Sequence, residues 1–415
     1  MIEIPKEDKS ILRELAKQVR DLSALEINRE RIRRIRDIHN LKPVRPPVWI
    51  DEIPWHEMDI DNELVLHTTI KETKSMETHF RRILYRWKHI QADMVVEDTF
   101  YVLKAFTETD IGIAVKEQTL ATNAANRIIS HHYEDQLDTE EKVDALKLPV
   151  ICARPETDRE YLDFANEILD GIMPVKLRGH GIYYAPWDRI AQLRGVNNCF
   201  TDMAGNPDFI HKIIRKFTEI YFARFNQMEE QGLLDYNIPS LHCTPPFTDD
   251  LPAPDYDGGK VRFKDVWFRG MAQLFASASP QMQDEFDLQY MRPLMEKCGL
   301  SYYGCCEPLD HFIPYLKKIP NMRKIGVTPW ANVRSCAEQI GNNYVLARKP
   351  NPANVARDFE KTVVADEIRE TIEAAITNKC PAEFVLKDIS TVNFKPQNLI
   401  NWANTVKEVI DKYYS

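Results

Sequence analysis

The chain reads as an α/β protein, a (β/α)8 barrel of the TIM type over residues 46–415 with an N-terminal helical extension over residues 1–45. Three observations lead there. From Pro174 onward short apolar runs alternate with longer helical ones, the pattern of a parallel sheet. With two earlier runs, Val48–Ile53 and Asp93–Val96, the expected strands number eight, enough to close a barrel. Histidine, thiols and carboxylates gather just after these runs, at the ends where parallel sheets carry their chemistry.

The elements follow in order. Glu7–Ile38 has Ile11, Leu12, Leu15, Val19, Leu22 and Leu25 at helical intervals and reads as a charged helix. Leu41–Pro47 is a proline-interrupted connector before the first strand, and Met76–Ala92 is helical. Phe100–His132 reads as an excursion, with a short strand at Ile111–Val115 and a helix at Ala121–Ser130; Asp138–Leu146 and Glu156–Gly171 are further helices. The remaining strands are expected at Val175–Arg178, Leu233–Ile238, Leu300–Tyr303, Lys324–Val327, Tyr344–Ala347 and Phe384–Lys387. Between and after them come helices at Pro207–Gln231, Pro280–Cys298, Pro308–Ile319, Asn332–Ile340, Pro352–Thr377 and Pro396–Tyr413. Several open on proline, whose missing amide costs nothing in a first helical turn.

Bulk composition removes some function classes. A formal net charge of -9 gives no general attraction to nucleic acid. No apolar run approaches the ~20 residues of a membrane span, and the opening MIEIPKEDKS lacks a signal peptide's basic start and apolar middle. A cytoplasmic location is the expectation. The eight cysteines, scattered through a large chain, read as reduced thiols, some binding metal, rather than a disulfide framework. Neither GxGxxG nor GxxxxGK[ST] occurs, which counts against a nucleotide enzyme.

The densest chemistry lies in SYYGCCEP, Ser301–Pro308, where Cys305 and Cys306 are followed at once by Glu307. Thiolates and carboxylates are zinc ligands, usually gathered in threes or fours. The same residues also read as a small core thiol and a helix-opening carboxylate. Other strand ends supply His180, Tyr183, Tyr184 and Trp187, then His242 beside Cys243, then Asp388. His242 and Asp388 are candidate further ligands, and His180 is the candidate acid–base group with Glu307. Aromatics after a glycine pair suit a flat or apolar substrate, so Tyr183, Tyr184 and Trp187 are expected to line its pocket.

RGHGIYYAPWDRIAQLRGVNNCFTDMAGNPDFIHKIIRKFTE (Arg178–Glu219), EEQGLLDYN (Glu229–Asn237) and SASPQMQDEFDLQYMRPLMEKCGL (Ser277–Leu300) resemble the uroporphyrinogen decarboxylase-like superfamily. The resemblance implies a single barrel, often dimeric. True decarboxylases of that superfamily carry an arginine-rich segment after the first strand; here Trp49–Asp59 reads WIDEIPWHEMD, without arginine. The other branch holds zinc-dependent methyltransferases that exchange methyl groups with a corrinoid protein, through an H-x-C-G segment and a late cysteine. YGCCE takes the first place here and KDIS, with Asp388, the second. The resemblance thus implies a corrinoid-system methyltransferase with zinc as cofactor, a corrinoid (cobalamin) carried by a partner protein, a small methylated substrate and a homodimer. Two other readings stand beside it. One is a decarboxylase or lyase on another carboxylated substrate, with Arg178, Arg269 or Arg348 as anion clamps. The other is a barrel that only binds a tetrapyrrole or corrinoid partner.

Overall fold

The computed structural model describes residues 2–123 and 128–414. Its strands are β1 Val48–Ile50, β2 Phe100–Leu103, β3 Phe106–Glu108, β4 Glu117–Asn123, β5 Ile128–Tyr133, β6 Ile151–Ala153, β7 Val175–Arg178, β8 Ile182–Tyr184, β9 Trp267–Gly270, β10 Leu300–Tyr303, β11 Met322–Val327, β12 Val345–Arg348 and β13 Ala382–Leu386. Seven of them form one parallel sheet in the order β1-β13-β12-β11-β10-β9-β8. Helices follow β10 through β13 as the crossovers of a parallel sheet require. Strands β9, β10, β12 and β13 are buried along their whole length. Burial on both faces is why β10, β12 and β13 read as largely apolar runs instead of alternating ones.

The sheet is curved as in a TIM-like fold, but the expected ring of eight does not close. Three of the expected strands are missing from it, Val175–Arg178 forming as β7 but pairing elsewhere. Leu233–Ile238 makes only a bridge, Leu234 to His180. There the Asp235 carboxylate accepts from the amides of Gly179 and Asn237, which occupies groups a ladder would use. Strand β8 therefore pairs directly with β9. Asp93–Val96 is not a strand; Asp93 alone ties it to β1, its amide donating to the Val48 carbonyl at 2.8 Å and its carboxylate accepting from the Val48 amide at 2.9 Å. In its place β2 pairs with β7, outside the main sheet. Gly179 sits at the junction of β7 with β8, where a Cβ would meet the Leu233 carbonyl oxygen at 2.5 Å.

Other elements depart from expectation for local reasons. The first helix is two, Lys6–Ser23 and Glu26–His39, because the Asn28 side chain donates to the carbonyls of Leu22, Ser23 and Leu25 and takes over the turn. Pro308–Ile319 shrinks to one turn, Ile313–Leu316, since Pro314 has no amide to continue a helix begun earlier. Ile111–Val115 is irregular. A helix does not span Ala121–Ser130: β4 and β5 pair antiparallel there, and 124–127 lie outside the described residues. Helices Pro186–Arg194 and Val196–Gly205 were not expected. Pro207–Glu230 and Pro396–Tyr413 agree with the sequence within a residue, each on a strongly apolar buried face. Among the described residues no helix is long and apolar enough to cross a membrane.

Candidate functional site

Strand β10 delivers its thiols through Gly304, whose φ of 108° suits glycine and turns the chain out of the sheet. Beyond that turn the Cys305 Sγ lies 3.6 Å from the Cys306 Sγ, 3.6 Å from the His242 Nε2 and 3.5 Å from the Lys387 Nζ. The Cys306 Sγ lies 3.2 Å from the Asp388 Oδ2, which is also 2.6 Å from the Lys387 Nζ. Glu52, just past β1, joins from the other side. Its carboxylate is 3.4 Å from the Cys243 Sγ and accepts from the Asp388 amide at 2.8 Å. Donor atoms of Glu52, His242 and Cys243 all lie within 4.8 Å of one another.

Backbone conformation marks the same residues. Glu52, His242, Cys243 and Asp388 all take positive φ, at 52°, 47°, 70° and 57°. Left-handed non-glycine residues cost about 1–3 kcal/mol each and persist where surrounding structure holds them. Three separate loops thus carry that cost around one point.

The floor is cationic. Arg269, Lys324 and Lys349 approach the Tyr302 ring, with centroid distances of 4.2, 5.4 and 5.8 Å. Lys349 donates to the carbonyls of Gly304 and Cys305. The hydrogen bond from Cys306, followed by Lys349, His242 and Arg269, holds the Cys305 thiol well below its usual range against the cost of burial. The same shared bond and burial push Cys306 up. Lys387 stays above the usual lysine range, because Cys305 and Asp388 outweigh its burial.

The other expected site residues fall in three places. Tyr183 is at the mouth, its ring 5.0 Å from that of His242 and its hydroxyl on the Met271 Sδ at 3.1 Å. Tyr184 and Trp187, expected beside it, are instead fully buried, bonded to Thr218 and to the Phe286 carbonyl. A strand and the helix after it turn these two side chains into the core. His180 lines the neighbouring cavity with Tyr183 and His242, its Nε2 2.7 Å from the Lys104 carbonyl. Glu307 is completely buried, and its two oxygens accept from the amides of Ala272 and Cys305, at 3.2 and 2.9 Å.

Glu307 therefore braces the turn that presents the thiols. Glu307→Gln places an amide donor against one of two backbone donors, so we expect a stability loss of about 1–3 kcal/mol in urea unfolding.

Sequence reasoning did not single out Glu52 or Asp188. Glu52 lies in the acidic WIDEIPWHEMD stretch, and its left-handed turn has no residue signature. Asp188 follows Trp187, and burial, with Cys305 and Glu307 adding to it, pushes its carboxyl up to about 6. Among the described residues it has no hydrogen-bond or ion-pair partner.

No family model and no curated protein matches the chain. Among solved structures, a methyltransferase from Methanosarcina mazei aligns over 92% of this chain and 98% of its own, at 11% identity and a TM-score of 0.49.

Proposed function

We propose that the chain is the methyltransferase component of a corrinoid-dependent system, working with zinc at the cluster around His242. The observation that carries this reading is the convergence of imidazole, thiols and a carboxylate from separate strand ends. A tetrahedral zinc ion with bonds near 2.0–2.3 Å sets its ligands roughly 3.3–3.8 Å apart. The 3.6 Å spacing of the Cys305 Sγ and the His242 Nε2 fits such an edge. His242 is shared between this edge and the three-donor group it forms with Glu52 and Cys243, while Cys306 and Asp388 flank Cys305. Zinc held there would act as a Lewis acid on the heteroatom that gives or receives the methyl. A corrinoid on a partner protein would be the other methyl carrier, meeting the substrate at the rim.

The chain's own groups have defined parts in this. The Cys306 bond, Lys349, His242 and Arg269, with Lys387 at 3.5 Å, favour Cys305 as thiolate, the form that ligates metal. Tyr183 walls the substrate side beside His242. A methyl leaving a heteroatom leaves an electron pair behind, which the Lewis acid would stabilise.

The decarboxylase reading loses its anion clamps. Arg178 is paired with Glu97, Arg348 with Glu367, and Arg269 donates to the Gly270 and Gly304 carbonyls.

The test is direct. Chain purified without chelator should contain about one zinc, and with a reduced corrinoid it should move an isotope-labelled methyl group from at least one donor among methoxylated aromatics, methylamines and methyl thioethers. Zinc-loaded chain that moves no label in either direction, to corrinoid or to thiol, would sink the proposal.

A further inference from the structure

On the far side of Glu52 lies a cavity of about 660 Å³, lined among others by Trp55, His79, Arg82, Ile83 and Arg86. Helix Lys71–His89 brings both arginines to it. Arg82 stacks over Trp55 at 4.8 Å and has no hydrogen-bond or ion-pair partner among the described residues. Arg86 lies over Trp49 at 5.7 Å and gives one bond to the Ile50 carbonyl, while its buried Nε has no partner. Neither guanidinium forms a salt bridge, although most arginines of this chain do. Between them burial pushes the His79 imidazole down to about 4, so that near neutral pH it adds no charge of its own.

Guanidinium forks free of a salt bridge match the planar geometry of a carboxylate, and Asp51, which lines the same cavity, acts on Arg86 through its charge without an ion-pair contact. Trp55, Ile53 and Ile83 add an apolar wall. Glu52 borders both this cavity and the donor cluster, so a ligand held here by its acid end reaches toward the metal site with its other end. We infer that the cavity is the subsite for a small organic acid, which Arg82 and Arg86 hold by its carboxylate. The inference deepens the methyl-transfer reading and rests on it for one part only: the acid is then the methylated substrate, and its methyl lies at the end opposite the carboxylate.

Binding decides the matter without any turnover. The full-length chain is titrated calorimetrically with 4-methoxybenzoate, with its methyl ester and with inorganic phosphate. The acid should bind, and the ester should bind at least about tenfold more weakly, the loss expected from one charge-assisted contact. Arg82→Gln should weaken the acid by about tenfold and leave the ester unchanged. Arg82 is exposed and bonds nothing in the fold, so this variant should keep the wild-type melting temperature. Arg86→Lys, which keeps the charge but loses the fork, should weaken the acid less. Equal affinity for acid and ester, or an Arg82→Gln variant that binds the acid as the wild type does, overturns the inference. Phosphate binding as tightly as the acid overturns it too, since the site is then for inorganic anions. A chain that binds acids but moves no methyl keeps this subsite and loses the methyltransferase reading. One that moves methyl from uncharged donors alone does the reverse.

Discussion

On the proposed zinc reading, His242→Ala should strip the metal from the purified chain and with it all methyl transfer. His242 is the one donor common to both halves of the cluster, 3.6 Å from the Cys305 thiol and grouped with Glu52 and Cys243. Without the imidazole no three donors among the described residues remain within 4.8 Å of one another, whereas zinc needs three or four protein ligands around one point. Cys243→Ala and Glu52→Ala should each lower metal retention by ~10-fold or more, while Asp388→Asn should lower it less, since Asp388 is already bound to Lys387. Metal analysis after dialysis checks the whole series. The ordering matters more than any single value. A series in which Asp388→Asn and Cys306→Ala empty the site, and Cys243→Ala does not, would move the ion to the outer pair of donors.

How much of this could be read in the sequence depends on the range of the interactions involved. The four late strands β10 to β13 are legible because each is an apolar run buried on both faces. Pro207–Glu230 and Pro396–Tyr413 are legible because each carries its own start signal and apolar stripe. Strand β9 is not legible as a run: Trp267–Gly270 contains a buried arginine that donates to the carbonyls of Gly270, its own neighbour, and of Gly304 just past β10. The failed strand at Leu233–Ile238 turns on the single Asp235 carboxylate capturing two amides, a contact between distant segments.

The candidate site divides in the same way. Cys305, Cys306, His242 and Asp388 were found from their places after expected strands, and all four meet within a few ångströms. Glu307 was found for the same reason, but its neighbours in space are amides. Trp187 looked like a pocket residue because it follows a glycine pair, yet a short helix that the sequence did not announce turns it inward. Glu52 went unseen because what places it is a left-handed turn and the approach of a loop nearly two hundred residues away.

The largest stability effect should come from the buried pair beneath the site. Lys324 on β11 and Glu383 on β13 face each other across β12 at 2.8 Å, both almost fully buried. The Thr244 hydroxyl lies against both, 2.9 Å from the Lys324 Nζ and 3.1 Å from a Glu383 oxygen. Burial pulls the Lys324 ammonium below its usual range and Glu383 pulls it back up, so the charge depends on the partner. Lys324→Met leaves a buried carboxylate with a hydroxyl as its only donor, which costs about 3–5 kcal/mol. Most of that loss should return in Lys324→Met with Glu383→Leu, because the cost comes from the stranded charge and not from a missing attraction. The single variant should recover part of its stability on acidification, as the stranded carboxyl takes a proton; the double variant should not. Thr244 follows Cys243 in the chain, so the single variant should also hold zinc more weakly. Urea unfolding of the four chains of the cycle, at neutral and at acidic pH, measures each term. Equal losses in the single and double variants would mean that the pair itself, and not the penalty of breaking it, supports the sheet.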